Sequence, residues 1–270
     1  MNQDQIKAIL LDIEDSQLEF SVIMTGKESK RVNGLYKPAS CELLLHNKNF
    51  TTDNQMIYTA IHEYAHHLLN EEKLQKAGNK TQEGLLYQRV NTNEFWARFH
   101  GLLEVAEKKG QYLIGLENSP ELAELTENIK KNYMEKNGRL MQEFGHLLIK
   151  AHDLCINAGI RYEDYIDRVL KLPRTAMTSI TKVATAPINP AIGFENMKLV
   201  ASFPTEEKQQ EAEQHLLQGH SPNTVRELMK KKAEEIDEKT RLEKEKIRLE
   251  KTIQQLTSRL EQVEENLASL

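Results

Sequence analysis

The apolar positions in the first fifty residues change from a helical period to a strand period. Four of them near the N-terminus recur at i, i+3, i+4 and i+7, which predicts an amphipathic helix: Ile6, Ile9, Leu10 and Ile13. From Leu18 onward every second residue is apolar as far as the turn at Gly26, the period of a half-buried strand. Two further short strands are expected at residues 31–36 and 41–46. This order of elements predicts a small α+β domain with a small sheet.

A second amphipathic helix is expected after the third strand. Residues 52–55, Thr-Asp-Asn-Gln, have the form of a capping box, which marks a helix N-terminus. The helix then carries His62-Glu63-Tyr64-Ala65-His66, an HExxH sequence. At about 3.6 residues per turn, His62 and His66 lie on one face and can bind the same metal ion. Glu63 stands beside them, where its carboxylate could take a proton from activated water.

A catalytic zinc site on this helix needs a third protein ligand, because zinc in such sites takes three ligands and keeps a position for water. The candidates are downstream acidic and histidine side chains: Glu71, Glu72, Glu83, Glu94 and His100. Glu94 is the best placed, since it opens another helical segment on which Ala97 and Gly101 would permit a close approach. Two alternatives remain open: the histidines could lie on an ordinary surface helix, and Glu94 could form an exposed i, i+4 pair with Arg98. His67, about 100° further round the helix, is expected behind the ligands or at the surface.

Residues 1 to about 108 resemble the ImmA/IrrE family of zinc metallopeptidases, which pairs HExxH on one helix with a glutamate on a later helix. The resemblance implies His62, His66 and Glu94 as ligands of Zn²⁺ and Glu63 as the general base. It also implies a gluzincin-like endopeptidase whose substrate is a regulatory protein such as a transcriptional repressor. In small zincin domains an edge strand beside the metal holds the substrate backbone by strand addition. The third strand, residues 41–46, is the candidate for that edge.

A long helix is predicted beyond the loop that ends at Ser119. Ser119 followed by Pro120 forms a good N-terminal cap, and Gly159 is a plausible stop. The second half of this helix carries a continuous apolar face: Leu140, Phe144, Leu147, Leu148, Ala151 and Leu154. The end of the zincin-like domain is therefore expected near residue 118.

Two short helices separated by a tight turn follow the long helix. The first is expected at residues 162–169, the turn at 170–173 and the second from Arg174, an arrangement typical of a helix-turn-helix. The expected inner surface comprises Ile166, Val169, Leu172, Ile180 and Val183. The residues left for phosphates and base edges are Arg174, Thr175, Thr178, Ser179 and Lys182. Together with residues 194–229, the segment loosely resembles the DNA-binding region of ParB/KorB-type proteins. The alternative is a helical module that docks a protein.

Heptad spacing dominates the chain from Leu242 to Leu270. Apolar residues recur at two positions of the heptad, which predicts a coiled coil and most simply a parallel homodimer: Leu242, Leu249, Leu256, Val263 and Leu270 at one, and Ile253, Leu260 and Leu267 at the other. Acidic residues interrupt the basic run at residues 230–232, so it predicts a solvated helix face.

Composition restricts the class of protein. The chain has 270 residues and a formal net charge of -5. No apolar run approaches the roughly 18 residues of a membrane span, and the N-terminus is polar and acidic, so a cytoplasmic protein is expected. Cys41 and Cys155 are far apart in the sequence and are expected in the core.

Three domains are therefore predicted: a zincin-like domain at residues 1–118, a helical domain with the helix-turn-helix at 119–230, and a coiled coil at 231–270. The leading hypothesis is a zinc-dependent endopeptidase joined to a helix-turn-helix and a dimerising coiled coil. Its rival is a DNA-binding or adaptor protein in which the zincin fold is structural or inactive.

Overall fold

The computed structural model describes residues 1–77 and 91–268, and side chains beyond residue 235 only in part. The predicted ligand candidate Glu83 lies outside the described residues. Backbone contacts divide the chain into two units, Met1–Val225 and Arg226–Leu270, so the two predicted N-terminal domains share the first unit. Among the helices described, none combines the length and the apolar character needed to cross a membrane.

The first hundred residues form helices around a small sheet, in the predicted order. The helices and strands are α1 (Gln3–Ile13), β1 (Ser21–Met24), β2 (Gly34–Lys37), β3 (Glu42–Leu45), α2 (Asp53–Ala77) and α3 (Asn93–Lys108). Asn2 and Gln5 form a capping box that starts α1, and the N–H of Gln55 donates to Thr52 Oγ1 at the start of α2. A mostly helical chain with a three-stranded sheet is compatible with the predicted α+β class.

The sheet has the strand order β1-β3-β2. Its central strand β3 runs parallel to β1 and antiparallel to β2, with Gly34 opposite Leu45. The prediction that residues 41–46 form the substrate edge is therefore wrong, because β3 is hydrogen-bonded on both sides. The hairpin connection places β2 at the edge, and β2 packs against α2. Alternation in strands of four residues could not distinguish the central strand from an edge strand.

One hydrophobic core joins all these elements. Its largest fully buried side chains come from every layer: Ile6 and Leu10 of α1, Leu43 and Leu45 of β3, Ile61 and Tyr64 of α2, and Phe95, Phe99 and Leu102 of α3. Full burial of one such side chain contributes about 1.5–3 kcal/mol. The apolar face of α2 is thereby held between the sheet and α3, which sets the orientation of the HExxH residues.

The rest of the first unit is helical. The elements are α4 (Pro120–Asn128), a π-helical segment (Ile129–Glu135), α5 (Lys136–Asn157), α6 (Tyr162–Asp164) continued by a π-helical segment (Tyr165–Leu170), α7 (Arg174–Thr185), α8 (Phe194–Ala201), α9 (Glu206–Leu217) and the start of α10 (Pro222–Ala268). The predicted Ser119 cap and Gly159 stop are confirmed, since Ser119 accepts the N–H of Leu122 and Gly159 has φ +67°. Between α6 and α7, Lys171 takes the left-handed conformation, with φ 55°, that usually selects glycine in this turn.

A second, smaller core lies between α5, α7 and the segment before α7. Leu148, Ile166 and Ile180 are buried in it, as expected, whereas the predicted inner residue Val169 is 65% exposed. The predicted apolar face of α5 is also only partly buried: Leu148 is buried, whereas Leu140, Leu147 and Leu154 are exposed. The reason is that α7 and α8 cover the side of α5 next to this face and leave the face itself outward.

The second unit consists of the single helix α10, which is continuous as far as Ala268. Three of its apolar heptad residues are exposed within this unit: Leu242, Leu249 and Ile253. Lys246, at the heptad position of Ile253 one repeat earlier, pairs with Glu250 at 3.8 Å.

Gly145 generates the first prediction, because it marks the closest contact between α5 and α7. A Cβ at this position would lie 2.4 Å from Ala184 Cβ and 2.7 Å from the carbonyl oxygen of Ile180. Gly145→Ala should therefore force the helices apart and lower the free energy of unfolding by about 1–3 kcal/mol, measured by urea denaturation.

Gly101→Ala is the matched control, since a Cβ at this position in α3 would have no atom of the described residues within 4 Å. It should raise stability by about 0.5–1 kcal/mol through helix propensity. Equal effects of the two substitutions would contradict the assigned helix contact. The sequence predicted that Gly101 would permit a close approach of α3 to α2. The open space around Gly101 within the described residues shows no such approach at this position.

Candidate metal centre

His62 and His66 lie one turn apart on α2, with ring centroids 5.2 Å apart. The aromatic start of α3 packs against both: His66 stacks on Phe95 at 4.0 Å, and His62 contacts Phe95 and Trp96 edge-on. Burial lowers the pKa of both imidazoles, and burial together with the neighbouring His62 lowers the pKa of His66 to about 4. Both rings are therefore neutral near pH 7, which is the form of histidine that binds metal ions.

Glu63 is buried on the sheet side of α2, with 6% of its surface exposed. The backbone N–H of Tyr36 in β2 donates a hydrogen bond to its carboxylate. Burial nevertheless raises the pKa of Glu63 to about 7, because desolvation of the charged form outweighs this bond. A carboxyl group with such a pKa can both accept and release a proton at neutral pH.

Gly34 is the residue that allows Glu63 to reach the strand. A Cβ on Gly34 would lie 2.8 Å from Glu63 Oε1 and 2.8 Å from Thr59 Cγ2, so any larger residue would displace the carboxylate. Sequence reasoning missed this position. The available signal was a glycine inside a strand pattern, which often marks the close approach of another group.

The free edge of β2 runs beside Glu63. The N–H of His46 donates to the carbonyl oxygen of Asn33 at 2.9 Å, and hydrogen-bonded pairs recur at every second residue of an antiparallel ladder. Leu35 therefore turns its backbone groups toward β3, while Gly34 and Tyr36 turn theirs outward. The Tyr36 bond to Glu63 agrees with this register. The edge available for strand addition is β2.

Glu94 lies in the first turn of α3, directly before the Phe95 ring that stacks on His66. Thr92 caps this helix by accepting the N–H of Phe95, and the Asn91 side chain hydrogen-bonds the ring of His66. Glu94 is exposed, and across residues 1–77 and 91–268 no hydrogen bond or ion pair engages its carboxylate. The beginning of α3 is therefore next to the histidines, and Glu94 projects from it without a partner.

The other predicted ligand candidates within the described residues have partners of their own. Glu71 accepts from Ser16 Oγ at 2.5 Å and from the N–H of Gln17 at 3.0 Å. Glu72 pairs with Arg98 at 3.3 Å, and His100 Nδ1 lies 2.7 Å from Ser221 Oγ. Arg98 also pairs with Glu14. The predicted alternative, an exposed ion pair between Glu94 and Arg98, is therefore wrong, because the carboxylates that Arg98 contacts are those of Glu14 and Glu72.

The donor set fits zinc in chemistry but is not assembled as a closed site. Within the part of the chain that the structure describes, no group of three or more His, Cys, Asp or Glu side chains is arranged to hold a metal ion. His62 and His66 are brought together, and Glu94 is not brought onto them. Two neutral imidazoles, the exposed carboxylate of Glu94 and the buried carboxylate of Glu63 are the kinds of group that a catalytic zinc site uses.

His67 has a structural role. It is fully buried, and its ring contacts Tyr36 Oη at 3.2 Å on one side and Ser16 Oγ at 2.9 Å on the other. Ser16 in turn donates to Glu71. These bonds tie α2 to β2 and to the turn after α1, and the full burial of His67 excludes the surface position expected as one of its two places.

A pocket opens one helical turn before Glu63, at the Gly34 end of β2. Amide and aromatic side chains dominate its lining, which includes Asn33, Asn49, Gln55, Tyr58, Thr59 and Tyr112. None of the described residues that line it is charged. The pocket can therefore take a neutral side chain of a segment that lies along β2.

The predicted DNA-contacting residues share the outward face of α7. Arg174, Thr175, Thr178 and Lys182 are exposed, and Ser179 is half-buried. Arg174 is engaged by Asp167, with Nε 3.1 and 3.0 Å from the two carboxylate oxygens. Thr178 and Ser179 donate to backbone carbonyl groups of their own helix. Lys182 is the cation on this face that has no ion pair within the described residues.

Comparison of the chain with protein-family models, with curated proteins and with solved structures finds no match.

Proposed function

We propose that the protein is a zinc-dependent endopeptidase that cleaves an extended segment of a regulatory protein. One observation carries the proposal: two half-buried neutral imidazoles lie next to a buried carboxylate of raised pKa, and this carboxylate contacts the edge strand β2. Each part has a use in peptide hydrolysis, and a structural helix would gain little from burying Glu63. A transcriptional repressor as the substrate is the expectation that the family resemblance supplies.

In this proposal the residues of the first unit bind zinc, transfer the proton and hold the substrate. When bound, zinc would supply a Lewis acid that activates water and polarises the scissile carbonyl group. His62, His66 and Glu94 would hold it. The Glu63 carboxylate would take one proton from the attacking water and release it to the departing amine. The backbone groups of Gly34 and the carbonyl group of Tyr36 would hold the substrate as an added strand, since the Tyr36 N–H already donates to Glu63.

Closure of Glu94 onto the two histidines is a requirement of this proposal. The Glu94 side chain is exposed, and no described residue engages its carboxylate. Phe95 and Asn91 already hold the start of α3 against His66. The rival function is an adaptor with an inactive zincin fold. Zinc content together with a casein or partner-cleavage assay separates the two functions.

We propose that the protein forms a homodimer through the exposed heptads of α10. We also propose that α7 contacts DNA. The exposed face of α7 and the turn at Lys171 support the second proposal. The Asp167 carboxylate opposes it, because it neutralises Arg174. A protein-docking role for the same face is the alternative.

Glu63→Gln should keep zinc and abolish cleavage. The amide preserves the shape of the side chain and leaves both imidazoles in place, but it cannot accept the proton of the attacking water. Zinc content measured by atomic spectroscopy should match that of the wild type, while casein or partner cleavage falls by at least about 100-fold. Loss of zinc would make Glu63 a ligand or a structural group, and retained turnover would place the base elsewhere.

Glu94→Ala should lower zinc occupancy severely, because two imidazoles alone hold a tetrahedral ion poorly. Glu72→Ala is the matched control: it removes a carboxylate that pairs with Arg98 and should leave zinc content unchanged. Dialysis against a zinc buffer followed by metal analysis provides the measurement. Full occupancy in Glu94→Ala would contradict the assignment and direct attention to His100 or Glu83.

Lys182→Ala should weaken DNA binding and flatten its salt dependence by about one unit of slope, if α7 contacts phosphates. Arg174→Ala should have a smaller effect, because Asp167 already neutralises that guanidinium. Both variants should retain wild-type zinc content. Absence of salt-dependent DNA binding by the intact wild-type protein would leave protein docking as the role of this face.

A further inference from the structure

The outward face of α5 carries an apolar stripe that the proposed function does not use. Leu140, Leu147 and Leu154 are spaced by seven residues and are 58%, 64% and 58% exposed. The neighbouring side of the same helix is already occupied, since Gly138 and Gly145 contact Pro190 and Ala184. Large leucines at heptad spacing on an outward face mark a surface that another helix covers.

We propose that this stripe pairs with the same stripe of a second copy of the chain, antiparallel, about a two-fold axis at Leu147. The axis places Leu147 against the partner's Leu147 and Leu140 against the partner's Leu154, so all three leucines on each helix gain an apolar neighbour. Such an interface is isologous, as in most homodimers. It stands independently of the proposed peptidase activity.

The charges beside the stripe decide the direction of pairing. At about 100° per residue, Glu143 and Lys150 fall on one flank of Leu147, and Phe144 and Ala151 fall on the other. Like flanks meet in an antiparallel pair, so Glu143 would lie near the partner's Lys150 and Lys150 near the partner's Glu143. Unlike flanks meet in a parallel pair, where both charges would face the apolar flank. Neither charge forms an ion pair within the described residues, so both are available.

Disulfide cross-linking in the full-length chain tests this arrangement. Chains that carry Leu140→Cys and Leu154→Cys, distinguished by tags of different size, are mixed in a glutathione redox buffer. The expected product is the mixed disulfide between position 140 of one chain and position 154 of the other. Wild type, with Cys41 and Cys155 buried, sets the background. Leu217→Cys, at a 54% exposed leucine on α9, is the matched control for random collision.

The outcomes separate the possible occupants of the stripe. Mixed disulfide at least about tenfold above the Leu217→Cys level supports the proposal. Disulfides restricted to 140–140 and 154–154 would mean parallel pairing and overturn it. Yields at the control level would mean that another segment or nothing covers the stripe, and would also overturn it. Because the readout is position-specific, pairing through α10 cannot imitate the expected product.

Charge reversal in the same assay tests the assigned flank. Glu143→Lys should reduce the mixed disulfide several-fold, because two lysines would then face each other, and Lys150→Glu should do likewise. The double variant should restore the wild-type yield. Glu121→Lys, an exposed charge change on α4, is the matched control and should have no effect. Failure of the double variant to restore the yield would overturn the antiparallel register.

Discussion

The packing of α2 between the sheet and α3 is the constraint on which the rest of the N-terminal region depends. Ile61, Tyr64 and Ala65 are fully buried on one side of the helix, so the HExxH residues between and beside them can take only one orientation. The same packing brings the Phe95 ring onto His66 and partly shields both histidines from water. The hydrophobic core thus sets the protonation state of the imidazoles as well as their position.

The burial of the Glu63 carboxylate depends on a small residue in β2, Gly34. Its carboxylate lies against the bare Cα of Gly34 and accepts the N–H of Tyr36, so it is both desolvated and held. One and two turns further along the same face of α2, His67 and Glu71 are hydrogen-bonded to Ser16, Tyr36 and Gln17. Two buried carboxylates on one helix therefore have different tasks, because one is fully hydrogen-bonded and the other is not.

The helical region shows the opposite use of a small residue. Gly145 lets α7 approach the backbone of α5, and α7 therefore covers the side of α5 that carries Gly145. The leucine-rich side next to it is left outward, flanked by Glu143 and Lys150. The exposed heptads of α10 have the same character within the second unit. Two separate surfaces therefore expose apolar residues at heptad spacing.

The sequence by itself determined the order of elements, the caps at Thr52 and Ser119, and the placing of His62 and His66 on one helical face, because these follow from local periodicity and side-chain chemistry. It did not determine that β3 is central, that Val169 faces outward, or that α5 buries only one edge of its apolar face. Those depend on which elements pair across long distances, and several pairings satisfy the same alternation of apolar residues. The raised pKa of Glu63 and the close contact at Gly34 also depend on long-range pairing and could not be predicted from the sequence. Both arise from groups 29 residues apart in the chain, since position 63 and position 34 meet only when β2 reaches α2.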